Sequence, residues 1–291
     1  MRNLNIFCFG FGQVAKNFIK KLKIEKYNIT LTTTSRNKFS KKIFNGIEYN
    51  SYLFNGEKFD NNLVKELKEA DHILVSIPPV NREDVVVKNF SEFIEDSKVK
   101  WITYLSATSV YGDHKGQWVE ENSITKPTSA NGLARLMAEN SWLSLKENKN
   151  LPIQIFRLSG IYSNESNVLV RLKLGTAKLI NKSNHYFSRI HIEDIANILF
   201  KSLSKFKSGE IYNLADDKPS SLEELTLHGA KLLNIKNLEK IDVKNLESEM
   251  LKTFYKDSKK VSNKKIKKYF SYNLKFPTYV EGLDYIRDNF I

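Results

Sequence analysis

A glycine-rich turn stands between the first apolar run of the chain and its first helical pattern. Residues 10–15 read GFGQVA, a G-x-G-x-x-A pattern, and an apolar strand is predicted over 4–9. The first glycine of such a turn makes a tight bend, the second lets the backbone approach a pyrophosphate, and the small third residue packs helix on strand. Free N–H groups at the helix start then bind phosphate. The pattern predicts a dinucleotide site that includes Gly10, Gly12, Gln13 and Val14; a turn whose glycines serve only packing is the alternative.

The residues after the second predicted strand indicate which dinucleotide binds. A β-branched strand over 28–34 leads into Ser35, Arg36 and Asn37, and no acidic residue occurs in 32–37. An NAD site usually places Asp or Glu here, about 20 residues beyond the glycines, to hold the ribose 2′-OH. Arginine beside a hydroxyl suits a 2′-phosphate instead. We therefore expect Thr34, Ser35 and Arg36 to contact the cofactor and NADP to be preferred, with NAD, or an exposed arginine without a ligand, as the alternatives.

Strand and helix patterns alternate through the first half of the chain. Further strands are predicted over 72–77, 101–105 and 153–158, and helices over 14–22, 62–67, 90–94 and 130–145. This alternation implies an α/β fold, a doubly wound and mostly parallel Rossmann sheet with helices on both faces. Ligands of such sheets bind at the carboxyl ends of the strands. The strand ends add Ser76, Ile77, Pro78, Leu158 and Ser159 to the expected cofactor contacts.

Beyond residue 162 the pattern changes. Helices are predicted over 168–179, 195–203 and 279–290, a short strand over 210–214, and a capping-box helix start at 220–224. These elements predict a smaller substrate-covering region that is interleaved with the sheet. We expect the NAD(P)-binding domain to comprise 1–162 plus 186–215, and the smaller region 163–185 plus 216–291.

Five segments, in the right order, resemble the motifs of one enzyme family. They are 103–113 (TYLSATSVYGD, similar to SS-x-x-VYGD), 127 with 131–139 (P and NGLARLMAE, similar to P-x-x-x-YGxxKxxxE), 157–162 (RLSGIY, similar to R-x-x-x-x-YGP), 188–196 (SRIHIEDIA, similar to yIHVxDvA) and 209–214 (GEIYNL, similar to G-x-xYN). The chain resembles the extended short-chain dehydrogenases of the NAD-dependent epimerase/dehydratase family. The resemblance implies an oxidoreductase or isomerase that acts on a nucleotide sugar or a similar small molecule.

Three positions depart from the family pattern. In the family a tyrosine moves a proton beside the nicotinamide, a lysine four residues later binds the nicotinamide ribose, and a serine or threonine holds the reacting oxygen. Here Asn131, Arg135 and Ala107 stand at these positions. An amide is no general base near neutral pH, and an alanine side chain forms no hydrogen bond. The resemblance therefore implies an atypical member, in which Arg135 reaches the ribose and Asn131 faces the substrate.

Other side chains are candidates for the missing roles. Ser106, Thr108 and Tyr111 lie at the end of the strand predicted over 101–105 and are the candidate catalytic surrogates, although the VYG tyrosine usually serves packing. Many sugar-nucleotide epimerases hold the diphosphate with an arginine where this chain has Phe187. Arg171 and Arg189 are the expected substitutes. His191 and Asp194 are interpreted as a structural hydrogen-bonding pair.

Composition bounds the remaining possibilities. The net charge is +13, but 38 of the 46 basic residues are lysines and, outside 256–268, they are scattered. Nucleic-acid surfaces more often use arginine, so we expect no nucleic-acid partner. The single cysteine, Cys8, excludes an intrachain disulfide and a structural zinc cluster. Apolar runs fall far short of the ~20 residues of a membrane helix, and no signal peptide is recognised. A cytoplasmic monomer or homodimer without a metal site is expected.

Three functions are consistent with these observations. The first is an NAD(P)-binding epimerase/dehydratase-like oxidoreductase with a non-standard active site. The second is a non-catalytic dinucleotide-binding or redox-sensing protein that kept the pocket and lost the chemistry. The third is a polyanion-binding protein that uses the basic residues of 256–268.

The loop after the second strand yields a prediction about cofactor choice. We expect NADPH to bind more tightly than NADH, because Arg36 and Ser35 offer a 2′-phosphate charge-assisted hydrogen bonds worth roughly 1.5–3 kcal/mol. Arg36→Ala should remove most of this preference and leave NADH binding nearly unchanged. Fluorescence titration of both cofactors into both proteins measures the effect. Equal affinities of the unmodified protein for NADPH and NADH would contradict the prediction.

Overall fold

The computed structural model describes residues 3–182, 184–245, 252 and 255–291. The chain forms two compact, interleaved units. The first comprises Met1–Ala107, Leu133–Arg157 and Ile195–Tyr212, and the second comprises Thr108–Gly132, Leu158–Asp194 and Asn213–Ile291. The predicted regions, 1–162 plus 186–215 and 163–185 plus 216–291, divide the chain at other points, since Thr108–Gly132 belongs to the second unit. Which region binds the dinucleotide and which covers the substrate stays a prediction.

The described residues form strands and helices in alternation. The strands are β1 (Asn3–Phe9), β2 (Asn28–Ser35), β3 (Ser40–Phe44), β4 (Ile47–Leu53), β5 (His72–Val75), β6 (Trp101–Ala107), β7 (Trp118–Val119), β8 (Ile153–Leu158), β9 (Gly160–Tyr162), β10 (Leu179–Asn181), β11 (Arg189–His191), β12 (Ile211–Leu214), β13 (Lys240–Asp242) and β14 (Lys260–Val261). The helices are α1 (Gln13–Ile24), α2 (Asn62–Glu69), α3 (Val85–Glu95), α4 (Ala130–Lys149), α5 (Val168–Lys173), α6 (Ile192–Ser202), α7 (Leu222–Leu232), α8 (Lys264–Phe270) and α9 (Tyr279–Phe290).

The main sheet has eight strands in the order β12-β8-β6-β5-β1-β2-β4-β3. The ladders β1–β2, β1–β5, β2–β4 and β5–β6 are all parallel. The edge strand β3 is antiparallel to β4. β1 lies between β2 and β5, so the chain order reverses at β1, as it does in doubly wound sheets. The predicted fold class, an α/β protein with a mostly parallel Rossmann sheet, is confirmed.

Burial explains why the central segments form strands. The inner residues of β1 and β5, among them Phe7, Cys8 and Leu74, are fully buried, as expected of parallel strands covered on both faces. The α1 residues at helical spacing, such as Phe18 and Leu22, face inward. Cys8 is a core residue, and its burial raises the pKa of the thiol to about 12.

Two local features correct the sequence prediction. β3 and β4 form an unpredicted hairpin across Asn45 and Gly46, whose φ angles of 50° and 72° are those of a two-residue type I′ turn. The helix predicted over 168–179 ends at Lys173, because Gly175 takes a left-handed φ of 66°. The Thr176 N–H then bonds the Arg171 carbonyl and the Gly175 N–H that of Leu172, which is a Schellman motif. Residues 179–181 form β10 instead.

The second unit packs α5, α7 and α9 around its own apolar cluster, which includes Tyr162, Leu169, Leu225 and Ile286. The predicted capping box is present at α7, where the Ser221 side chain accepts from the Glu224 N–H and Glu224 accepts from the Ser221 N–H. Three two-stranded ladders, β9–β11, β10–β13 and β7–β14, complete this unit.

A buried ion pair connects three elements of the first unit. Glu139 of α4 and Arg157 of β8 have side-chain exposures of 1% and 4%, and Arg157 Nη2 lies 2.7 Å from Glu139 Oε2. Arg157 Nε also donates to Glu139 Oε1 at 3.1 Å. The Ser106 hydroxyl of β6 donates to the same Oε1 at 2.5 Å. A charged pair this deeply buried is stable only while both partners and their hydrogen bonds are present.

We therefore predict that Glu139→Gln lowers the free energy of unfolding by about 3–5 kcal/mol, because it leaves Arg157 buried without a counter-charge. Denaturant titration measures the loss. The matched control is Glu69→Gln at the exposed Glu69–Lys98 pair, which also has a 2.7 Å separation. Exposed pairs contribute about 0–1 kcal/mol. Equal losses in the two variants would show that the buried pair does not stabilise the unit.

Candidate functional site

The glycine turn after β1 is held by the residues predicted to contact the cofactor. The Gly10 N–H donates to Thr34 Oγ1 at 3.0 Å, and the Ser76 hydroxyl lies 3.0 Å from the Phe9 carbonyl and 3.1 Å from that of Gly10. Gly10 has φ of +83°, and a Cβ on it would lie 2.6 Å from Ile77 Cγ2. The turn thus requires glycine both for its φ and for the close approach of the segment after β5.

Gly12, unlike the closely packed Gly10, lies in open space. It is exposed and caps α1 with φ of −82°, and no described side chain caps the helix. Apart from its two neighbours in the chain, no atom of the described residues would lie within 4 Å of a Cβ on Gly12. Gln13 is exposed and Val14 half-buried in the first helical turn. Open space above uncapped N–H groups at a helix start is the arrangement that receives a pyrophosphate. The residues therefore fit a dinucleotide here.

The loop after β2 presents Arg36 to solvent. The Arg36 side chain is exposed. The Ser35 hydroxyl accepts a hydrogen bond from the Asn37 N–H at 3.3 Å, and this contact tightens the loop on either side of Arg36. After β5, Ser76 and Ile77 are half-buried and Pro78 is exposed. The structure therefore brings Gly10, Thr34, Ser76 and Ile77 together, and leaves Arg36 accessible at the end of the neighbouring strand.

The residue at the family's lysine position rests against β6. Arg135 Nη1 donates to the Leu105 carbonyl at 2.6 Å and to the Tyr104 hydroxyl at 3.3 Å. Asn131, four residues earlier on α4, is exposed. The contact with Tyr104 was not predicted, because no sequence signal connects two residues separated by 31 positions.

The candidate surrogates have different surroundings. Tyr111 is fully buried, and its hydroxyl donates to Asn213 Oδ1 at 2.7 Å, which fits the packing role of a VYG tyrosine. The Ser106 hydroxyl donates to Glu139, so its oxygen can act only as an acceptor toward another group. Thr108 is half-buried, and its hydroxyl bonds none of the described residues. Of the three, Thr108 has the hydroxyl that is available to a ligand.

Ser159, which follows β8, has a buried hydroxyl without a hydrogen-bond partner among the described residues. Its N–H donates to the Leu214 carbonyl at 3.0 Å, and Leu158 beside it is also buried. Buried polar atoms usually have partners, so an unpartnered hydroxyl of this kind marks a place where a ligand or a water binds.

The two predicted substrate arginines lie near each other within the second unit. Arg189 is buried and donates to the carbonyls of Phe187, Ser220 and Ser221 and to Ser220 Oγ at 2.7 Å. Burial raises the pKa of Asp216 to about 8, although the positive charge of Arg189 opposes the rise. Arg171 is exposed at the end of α5 and repels Arg189. Arg189 thus orders the start of α7, while Arg171 forms no ion pair with any residue described.

His191 and Asp194 do not form the predicted pair. His191 Nδ1 accepts from the Glu193 N–H. Asp194 accepts from the Tyr272 hydroxyl at 2.5 Å and from the N–H groups of Lys275 and Phe276. Both roles are structural, but they concern different segments of the second unit.

Three lysines of 256–268 contact other residues of the second unit. Lys267 bridges to Asp217 at 2.9 Å, and Lys259 Nζ donates to the Gly112 carbonyl at 3.0 Å. The Lys260 ammonium lies 4.2 Å from the Tyr186 ring centre. These contacts account for part of the local positive charge. In the described parts of the chain no group of three or more His, Cys, Asp or Glu is placed to hold a metal ion, and no helix is long and apolar enough to cross a membrane.

Comparisons with known proteins agree with this geometry. Residues 81–215 match the model of the NAD dependent epimerase/dehydratase family. The solved structure of a functionally unknown conserved protein from Silicibacter pomeroyi DSS is 30% identical over 99% of both chains, with a TM-score of 0.86. UDP-N-acetylglucosamine 4-epimerase from Bacillus cereus shares the fold at 16% identity over 98% of both chains, with a TM-score of 0.76. UDP-glucuronic acid 4-epimerase from Bacillus cereus, solved with UDP-glucuronic acid and NAD, does so at 16% identity over 99% of this chain and 98% of its own (TM-score 0.77). No curated protein is significantly similar in sequence.

The contrast between the two glycines gives a prediction. Gly12→Ala should leave folding intact, with a free energy of unfolding unchanged or raised by up to about 1 kcal/mol, because its φ suits alanine and the methyl group meets no protein atom. Dinucleotide affinity should fall by about tenfold or more, because the methyl group displaces a phosphate from its N–H donors. Gly10→Ala should instead destabilise the fold itself. Denaturation and NADH titration measure the two effects, and unchanged NADH affinity in Gly12→Ala would contradict the site.

Proposed function

Because the chain belongs to the NAD dependent epimerase/dehydratase family, we propose that it is an NAD(P)-binding oxidoreductase acting on a nucleotide sugar or a similar small molecule through a non-standard active site. The observation that carries this proposal is the open space above Gly12, beside the strand-end residues Thr34 and Ser76 that shape the turn. The bound nicotinamide would supply the hydride acceptor or donor.

The residues proposed to hold the dinucleotide divide by their task. Gly12, Gln13 and Val14 receive the pyrophosphate at the start of α1. The exposed Arg36 holds a 2′-phosphate, and this supports NADP as the preferred cofactor, whereas the UDP-glucuronic acid 4-epimerase from Bacillus cereus was solved with NAD. Arg135 binds the nicotinamide ribose, and Ile77, Pro78, Leu158 and Ser159 complete the proposed contacts.

The proposed substrate contacts come from the second unit. Arg171 is the accessible cation for the diphosphate of a nucleotide sugar, while Arg189 binds the residues before α7 and adds positive potential. The solved relative that contains UDP-glucuronic acid supports this class of substrate. Asn131 is exposed on the first turn of α4 and can hydrogen-bond a substrate oxygen, but it cannot take up its proton near neutral pH.

Proton transfer is the step for which this chain lacks the family's usual groups. Thr108 has the available hydroxyl to hold the reacting oxygen in place of the side chain missing at Ala107, and Ser106 can only accept. The buried hydroxyl of Tyr111 is already donated to Asn213. The same facts support a second candidate function, a non-catalytic dinucleotide-binding or redox-sensing protein.

Restoring the family's residues separates the two candidates. We expect the unmodified protein to bind cofactor and to show little hydride transfer with nucleotide sugars, since a general acid/base contributes about 10²–10⁴-fold. Asn131→Tyr, Arg135→Lys and Ala107→Ser together should raise the rate, while each single change does little because such groups act as a unit. The near-ultraviolet absorbance of reduced nicotinamide, with UDP-glucuronic acid as substrate, measures the rate. Brisk turnover by the unmodified protein would show that the replaced residues are not needed, and Thr108→Val would then test the surrogate hydroxyl.

A further inference from the structure

The guanidinium of Arg135 is fixed at one end only. Arginine carries five N–H donors in a rigid planar fork, two of them on Nη1. Here Nη1 donates to the Leu105 carbonyl at 2.6 Å and to the Tyr104 hydroxyl at 3.3 Å. Nε and Nη2 bond none of the residues that the structure describes, and the side chain is half-buried. The Nε and Nη2 donors, which lie on one edge of the guanidinium, are therefore available to a ligand.

Tyr104, which accepts from this fork, is itself held in one place. It is fully buried, and its ring stacks on Trp142 with 6.1 Å between ring centres and 26° between planes. Trp142 Nε1 donates to Asp84 Oδ2 at 3.1 Å. Asp84 Oδ1 in turn accepts from the N–H groups of Val86 and Val87 at the start of α3. A chain of contacts thus runs from α3 through α4 to the β6 hydroxyl that meets Arg135.

Charge supports the same arrangement. Burial raises the pKa of the Tyr104 phenol, so its hydroxyl stays neutral and is available to accept from Arg135. Burial raises the pKa of Asp84, and the positive charge of Arg135 is one of several influences that oppose this rise. The two hydrogen bonds from Nη1 hold the guanidinium against β6.

We propose that Tyr104 is a positioning residue, which holds Arg135 so that the free edge of its guanidinium presents two donors to the neighbouring hydroxyls of the nicotinamide ribose. A planar fork matches a pair of adjacent oxygens, whereas a lysine ammonium is a single point charge. The inference rests on the proposed function, because it requires a dinucleotide in the first unit. The inference adds Tyr104 as the residue that fixes the orientation of the planar guanidinium, an orientation that a lysine ammonium would not require.

Tyr104→Phe tests this role, because it keeps the ring and its stacking on Trp142 and removes only the hydroxyl. Each dinucleotide is titrated beside its own adenine half, NADPH with 2′,5′-ADP and NADH with ADP. We expect the dinucleotide Kd to rise roughly fivefold, as the loss of one ordinary hydrogen bond gives, and the Kd of the adenine half to stay unchanged. A merely structural role would weaken both ligands alike.

A double-mutant cycle with Arg135→Ala shows whether Tyr104 acts through the guanidinium. Arg135→Ala should weaken the dinucleotide more than Tyr104→Phe does, and Tyr104→Phe should add nothing in that background. The matched control is Tyr27→Phe, a half-buried tyrosine on the turn before β2, at the amino end of that strand; it should change neither ligand. Equal effects on dinucleotide and adenine half, no effect on either, or a full loss persisting without Arg135 would overturn the positioning role. An unmodified protein that binds adenine halves but no dinucleotide, or neither, would overturn the proposed function and this inference with it.

Discussion

The pairing of Glu139 with Arg157 is the constraint on which the arrangement of the first unit depends. Both charges lie in the interior, where each is tolerable only beside the other, so α4 can dock on β8 in only one register. The Ser106 hydroxyl shares the carboxylate and adds the end of β6 to the same contact. Arg135 lies one helical turn before Glu139 on α4, so its approach to Leu105 and Tyr104 follows from that register.

The fold constrains the glycine turn of the first unit more tightly than it constrains Asn131 and Ala107. Thr34 and Ser76 bond the glycine turn from two neighbouring strands, and Gly10 fits the space they leave. Asn131 and Ala107 need no such framework, since one is exposed and the other ends a strand. Folding stability therefore depends strongly on the residues that shape the glycine turn and weakly on Asn131 and Ala107.

Sequence reasoning succeeded where a feature is local or periodic. The alternation of apolar strands and helices predicted the sheet, the GFGQVA pattern predicted a turn between a strand and a helix, and Ser221 with Glu224 predicted the start of α7. It missed the β3–β4 hairpin, although Asn45-Gly46 is a strong turn signal, and it extended a helix past Gly175. Contacts such as Tyr104–Arg135 and Tyr111–Asn213 join positions 31 and 102 residues apart, and no periodicity predicts them. The sequence also could not predict that Arg189 donates hydrogen bonds to the carbonyls before α7, because these contacts depend on the fold.

The distribution of arginine supports this interpretation of the site. Only 8 of the 46 basic residues are arginines, so lysine is the cation this chain uses wherever a charge alone suffices. Arg135, Arg157 and Arg189 each employ several N–H donors at once, toward carbonyls, a phenol or a carboxylate. A lysine ammonium carries its three donors on one nitrogen, so it cannot present donors along the edges of a rigid plane as a guanidinium does. Where this chain has arginine in its interior, the planar fork of donors is the property that the structure uses, and at position 135 the unused edge of that fork is what remains for a ligand.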